Sequence, residues 1–169
     1  MGFVSSWVVS MADLYFGYGS NLNHKDWTTW CRRRGVDSTE IKPITTVTLR
    51  DHALIFHYYS KSRGGGALDI VKRSGHNIRG VLFSVTPLGW RLLDDKEGHP
   101  ERYRRVVISV DDANDNRYLA TTYQVTHQHN QRRFIRPSPE YVQIVRVGLS
   151  EHGLDDRHLD EAARGDILD

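Results

Sequence analysis

The stretch Leu14-Tyr15-Phe16-Gly17-Tyr18-Gly19-Ser20-Asn21-Leu22 decides how this chain is read. Leu14, Phe16 and Tyr18 alternate with Tyr15 and Gly17, and that period of two, dense in aromatics, spells a strand. Gly-Ser-Asn then ends it. Gly17 and Gly19 lack a Cβ, so a ligand can come close to the main chain there. Successive N–H groups in such a turn form a small cradle for an anion or an oxyanion. A helix is expected just beyond, with its first N–H groups aimed at the same place. The plainer alternative is an aromatic strand running into an ordinary turn, because short motifs also match by accident.

A chain of 169 residues suits one domain with a proper core. A net charge of +2 gives no strong pull toward nucleic acid or membrane, and neither partner is expected. Cys31 stands alone, which excludes an internal disulfide and a cysteine-based zinc site, and a reducing cytoplasm is the simplest home. No apolar run approaches a membrane span. Residues 1–11 read as a flexible leader, either an extended start with Met11 as the functional beginning or a disordered segment. Their short apolar runs follow no Lys or Arg, unlike a secretory signal, and Met1-Gly2 with Ser6 fits a myristoylation site only loosely. The domain is expected over 12–165, as a monomer or homodimer.

Further along, Asn21 or Asn23 can cap a helix to about Arg34 that turns Trp27, Trp30 and Cys31 inward, and Gly35 stops it. Its Arg32-Arg33-Arg34 end reads as solvated. Residues 44–49 and 53–59 read as strands joined by Arg50-Asp51-His52, with further strands at 67–71 and 78–85. Gly64-Gly65-Gly66 reads as a mobile loop at a pocket edge. No Gly-Lys-Ser/Thr follows it, so it is not a P-loop. Thr86-Pro87 opens a helix that buries Leu88 and Leu92, and Gly98 ends it. Residues 103–110 and 118–125 form a hairpin. His127 and His129 are expected on one strand face, too few ligands for a metal site. Ser138-Pro139 opens a helix with Tyr141, Ile144, Val145 and Leu149 as its apolar stripe, and a short final helix follows. The sum is an α+β domain with a mostly antiparallel, barrel-like sheet and a few flanking helices.

One carboxylate stands out. Glu97 closes a helix just before Gly98, where the negative end of the helix dipole disfavours its charge. Asp94 and Asp95 add like charge in sequence. If buried, such a group would hold its proton more tightly than a free carboxylate and act as a general acid or base. The opposing reading is a solvated acidic helix end. Cys31 sits among tryptophans like an inert structural cysteine, and Gly19-Ser20-Asn21 is not a nucleophile elbow.

Taken together, these segments resemble the γ-glutamylcyclotransferase superfamily, including its AIG2-like and γ-glutamylamine cyclotransferase branches. Residues 15–22 look like its N-terminal signature. Gly66-Ala67-Leu68-Asp69-Ile70-Val71 is similar to the strand before its central helix. Leu93-Asp94-Asp95-Lys96-Glu97-Gly98 matches its Leu-Asp-x-x-Glu-Gly segment, and Pro137-Ser138-Pro139-Glu140-Tyr141 resembles its Pro-Ser-Pro-x-Tyr segment. The resemblance implies a cofactor-free enzyme. It places Glu97 as the catalytic acid/base and Tyr15, Phe16, Gly17, Tyr18, Gly19, Ser20 and Asn21 at the substrate, with Tyr141, Tyr103 and Tyr123 lining the pocket. The implied partner is a small γ-glutamyl compound. Its α-amine closes on its γ-carbonyl to give 5-oxoproline. Arg132, Arg133 and Arg136 are expected to add a basic rim that favours an acidic leaving group. The alternatives are a non-catalytic γ-glutamyl- or carboxylate-binding module, or a biosynthetic enzyme that removes a γ-glutamyl protecting group.

Overall fold

Strand β1 (Leu14–Gly17) is buried at all four positions. It is flanked on both sides, antiparallel to one neighbour (Phe16 opposite Leu82) and parallel to another (Tyr15 opposite Thr121). A strand covered on both faces has no solvated side, which accounts for its run of large apolar residues. The computed structural model describes residues 13–168, so the leader reading for 1–11 lies outside the described residues.

Two long strands carry most of the sheet, β2 (Ile41–Ser60) and β3 (Gly65–Val85), paired antiparallel along almost their whole length. Each merges segments that the sequence reading kept apart. Arg50-Asp51-His52 is an irregularity inside β2, with Asp51 at φ 56°. Gly65 and Gly66 are not loop but the start of β3. Their missing side chains let residues 135–138 lie directly against the strand: a Cβ on Gly65 would come within 2.9 Å of the Arg136 carbonyl, and one on Gly66 would strike that of Ile135.

Strands β4 (Tyr103–Asp111) and β5 (Arg117–Val125) form the expected hairpin. The order β1-β3-β2-β4-β5 closes into a barrel. All pairings are antiparallel except β1 with β5, so the expected barrel-like α+β architecture is what the chain adopts. Closure leaves no exposed sheet edge along β1.

Helix α1 (His24–Arg33) is capped by Asn23, whose side chain accepts from Asp26 N at 2.9 Å. That frees Asn21 for another task. Trp27 and Cys31 are buried, while Trp30 is only half-buried and stacks on Trp27. Helix α2 (Pro87–Glu97) starts as expected, with Thr86 Oγ1 accepting from Gly89 N at 3.0 Å and Pro87 in the first turn. Leu88 is exposed, however, and Trp90, Leu92 and Leu93 form the buried face. Gly98 ends the helix at φ 69°, in a left-handed cap that suits glycine. Helix α3 (Pro139–Glu151) is capped by Ser138, and α4 (Arg157–Ala163) follows. Residues 127–129 form a turn rather than a strand, and His129 Nδ1 lies 3.1 Å from Thr126 Oγ1. Among the described residues no helix is long and apolar enough to cross a membrane.

Candidate active site

The end of β1 and the end of α2 meet. Strand β1 runs out at Gly17, and a short 3-10 turn at Ser20–Leu22 leads into α1. There Asn21, 5% exposed, donates from Nδ2 to Glu97 Oε1 at 2.9 Å and to the Tyr15 hydroxyl at 3.0 Å. Its own Oδ1 accepts from Lys96 Nζ at 2.7 Å. An ammonium can only donate, so the amide must turn its oxygen to Lys96 and its NH2 to the carboxylate.

Around this contact lies a hollow lined by Tyr15, Tyr18, Gly19, Ser20, Asn21, Leu68, Glu97, Tyr103, Tyr123 and Tyr141. It comprises about 310 Å3 of space free of atoms, open solvent at its mouth included. Eight of the expected substrate-binding residues are therefore brought together with Glu97. Phe16 and Gly17 are not among them. Phe16 is fully buried, and a Cβ on Gly17 would press on the Phe83 ring at 2.9 Å. These two residues build the wall from behind. Gly19 differs: a Cβ there would lie 3.8 Å from both Leu68 Cδ1 and the Tyr141 hydroxyl, across the hollow rather than in the core.

Among the described residues, no protein acceptor engages the main-chain N–H groups of Gly19, Ser20 or Asn21, whereas those of Leu22 and Asn23 donate to Gly19 and Ser20 carbonyls. Adjacent donors with free hydrogens at a concave site suit a developing negative charge on oxygen.

The tyrosines are fixed by their own hydroxyls. Tyr18 donates to the Tyr123 carbonyl at 2.6 Å and Tyr103 to the Leu68 carbonyl at 2.8 Å. Tyr141 accepts from Leu68 N at 3.1 Å. The backbone of one β3 residue, Leu68, thus holds two walls of the hollow. Nothing in the residue type of Leu68 signals this backbone role. Burial raises the phenols of Tyr15, Tyr18, Tyr103 and Tyr123, and pushes Tyr141 up to about 12. They serve as neutral hydrogen-bonding walls.

The acidic helix end does not crowd Glu97. Asp94 is clasped by the Arg105 guanidinium at 2.7 and 2.8 Å and accepts from Tyr123 OH at 2.6 Å. Asp95 faces Arg34 at 3.4 Å. The charge next to Glu97 is positive instead: Lys96 is almost fully covered, and burial lowers its pKa against the opposing pull of Glu97 and Asp26. Lys96 Nζ also donates to Ser20 Oγ and to Asp26 Oδ2, at 3.3 and 3.4 Å. Sequence reading gave Lys96 no role. Its only signal was its place beside Glu97 in the Leu-Asp-x-x-Glu-Gly segment.

Beyond the hollow a wider groove shares Ser20, Glu97, Tyr103 and Tyr141 with it. Arg132, Arg133 and Arg136 line neither, so the expected basic rim is not theirs. Arg33, Arg34, Arg63 and Arg102 line the groove in their place. Among the described residues no cluster of three or more His, Cys, Asp or Glu could hold a metal ion.

The family model described as gamma-glutamyl cyclotransferase, AIG2-like, matches residues 15–143. A Bos taurus protein named gamma-glutamylcyclotransferase is 25% identical over 146 residues, spanning 83% of this chain and 72% of its own. A solved structure titled gamma-glutamyl cyclotransferase superposes with a TM-score of 0.73 at 22% identity, over 93% of this chain and 88% of that one. YkqA from Bacillus subtilis gives 0.71 at 20% identity, over 92% and 55%. Both structural likenesses bear on the fold.

Proposed function

The chain belongs to the gamma-glutamyl cyclotransferase, AIG2-like family, and from that premise we propose that it releases 5-oxoproline from a γ-glutamyl compound, with Glu97 as general acid/base. The observation that carries this reading is the meeting of one carboxylate and three free main-chain donors at a single hollow.

In the proposed reaction the glutamyl chain folds back inside the hollow. Glu97 removes a proton from the α-ammonium, and the freed amine nitrogen bonds to the γ-carbonyl carbon. The carbonyl oxygen becomes an oxyanion, bound by N–H groups of residues 19–21. One such donor can be worth about 3 kcal/mol. The amide bond to the leaving nitrogen then breaks as Glu97 gives its proton to that nitrogen, and Glu97 takes the second proton of the ring nitrogen, leaving the lactam N–H, and passes it to solvent. The products are 5-oxoproline and a free amine, with no change of oxidation state. The rigid tyrosine walls hold the bent conformer, so that ring closure gains its intramolecular advantage.

The test is a panel of γ-glutamyl amino acids and γ-glutamyl amines incubated with the protein, with 5-oxoproline read by mass spectrometry. Release from one or more members is expected. No release from any member contradicts the reading.

A further inference from the structure

The groove outside the hollow adjoins it and has room for a leaving group, since the two spaces share Glu97, Tyr103 and Tyr141. Five cationic side chains line it, Arg33, Arg34, Arg63, Lys96 and Arg102, against three carboxylates, Asp26, Asp95 and Glu97. The carboxylates are largely committed. Arg63 grips Asp26 at 2.9 and 3.0 Å, Lys96 adds a third contact to it, and Arg34 faces Asp95. Arg34 Cζ also sits over the Trp30 ring, 3.8 Å from its centre.

Two guanidinium groups remain over. Arg33 and Arg102 are exposed, and neither has a carboxylate within 4.0 Å among the described residues. Arg102 lies beside Gly98, one residue past Glu97, and lines the groove together with Tyr58. Opposite charge in a walled groove attracts an anion more strongly than the same charge on an open surface. A guanidinium also suits a carboxylate in particular, because its donors match the two oxygens as a fork.

We propose that the leaving group is an acidic amino acid, one that carries a side-chain carboxylate besides its α-carboxylate, with Arg102 and Arg33 as the groups that select it. The substrate class is then γ-glutamyl-glutamate or γ-glutamyl-aspartate, and equally a γ-linked glutamate oligomer whose first residue is released. This inference rests on the cyclisation proposed above.

The test compares γ-glutamyl-glutamate with γ-glutamyl-glutamine, which differ by one charge at nearly constant shape. At low salt kcat/KM for the glutamate compound should exceed that for the glutamine compound by about tenfold or more, and the ratio should shrink as salt is raised, because exposed charges are screened. In Arg102→Gln and Arg33→Gln the ratio should fall toward one. Should either variant fail to fold, the salt dependence of the unaltered protein still decides the matter. Equal turnover of the two compounds at low salt overturns the acidic leaving group and leaves the cyclisation standing. Absence of 5-oxoproline from both overturns the acidic leaving group, and its absence from every γ-glutamyl amino acid and γ-glutamyl amine of the panel overturns the cyclisation as well.

Discussion

Asn21 Nδ2 sits 2.9 Å from Glu97 Oε1 and so ties the turn after β1 to the last residue of α2. The same side chain receives Lys96 and reaches Tyr15. Removing it undoes three contacts at once, and two of them involve charged groups. Hydrogen bonds to charged groups are worth about 1.5–3 kcal/mol. Asn21→Ala should therefore lower kcat/KM by roughly ten- to a hundredfold. Progress curves of 5-oxoproline release check this, and an unchanged rate would show that the Asn21–Glu97 contact does not matter to turnover.

Gly17 and Gly19 make an internal control. Alanine at Gly17 presses on Phe83 and Leu22 in the core, and overpacking of this kind costs about 1–3 kcal/mol. Alanine at Gly19 meets only ordinary contacts but projects between Leu68 and Tyr141. Gly17→Ala should lower the melting temperature, whereas Gly19→Ala should keep it and lose activity. Thermal melts beside activity assays separate the two.

Stability should fall on the acid side through Asp26. Burial works to raise its carboxyl, but the Arg63 hydrogen bonds and the Lys96 charge hold it below the ordinary range. A carboxylate with a depressed folded-state pKa contributes stability above its unfolded value, about 3.9, and loses it as pH drops through the folded value. Urea midpoints should therefore decline below about pH 4, and Asp26→Asn should flatten that decline. Arg63→Ala leaves Asp26 short of its main partner and should lower the midpoint at neutral pH.

The alkaline side is governed by the tyrosines. Tyr141 is raised from 10.0 to about 12, chiefly by burial. The stability this represents is complete below 10.0 and lost as pH climbs through about 12. Tyr15, Tyr18, Tyr103 and Tyr123 are displaced in the same direction. The phenolate absorbance of the wall tyrosines should thus stay absent near pH 10, where an ordinary tyrosine ionises. Ionisation of Tyr141 in the folded protein near pH 10, read by comparison with Tyr141→Phe, would contradict this.

A buried pair offers a check on the barrel itself. His57 and Asp69 are both about 2% exposed and lie 2.5 Å apart, and Asp69 Oδ1 accepts from Val125 N at 3.0 Å. Removing one partner of a buried pair typically costs about 3–5 kcal/mol. Asp69→Ala should lose that much in chemical denaturation. The loss would also loosen β3 beside Leu68, which holds Tyr103 and Tyr141.

What was legible in the sequence was local. The period of two in β1, the Thr86-Pro87 and Ser138-Pro139 helix starts and the Gly98 stop all depend on near neighbours, and each stands as read. What failed depends on distant chain. Gly65 and Gly66 looked like a loop because glycine usually weakens a strand, yet here residues 135–138 need the space. Arg136 looked like a rim residue by charge alone, but Arg63 and Arg102 reach the groove from β2, β3 and β4 boundaries that only the barrel brings together. Lys96 and Leu68 were invisible for the same reason, since one acts through a turn 75 residues away and the other through its backbone.

In the proposed reaction Glu97 moves the proton. Glu97→Gln preserves the shape and can still meet Asn21, so the fold should survive with an unchanged circular dichroism spectrum and a melting temperature close to the original. With a γ-glutamyl substrate that the unaltered protein converts, this variant should release no detectable 5-oxoproline. Undiminished release of 5-oxoproline by folded Glu97→Gln would contradict it.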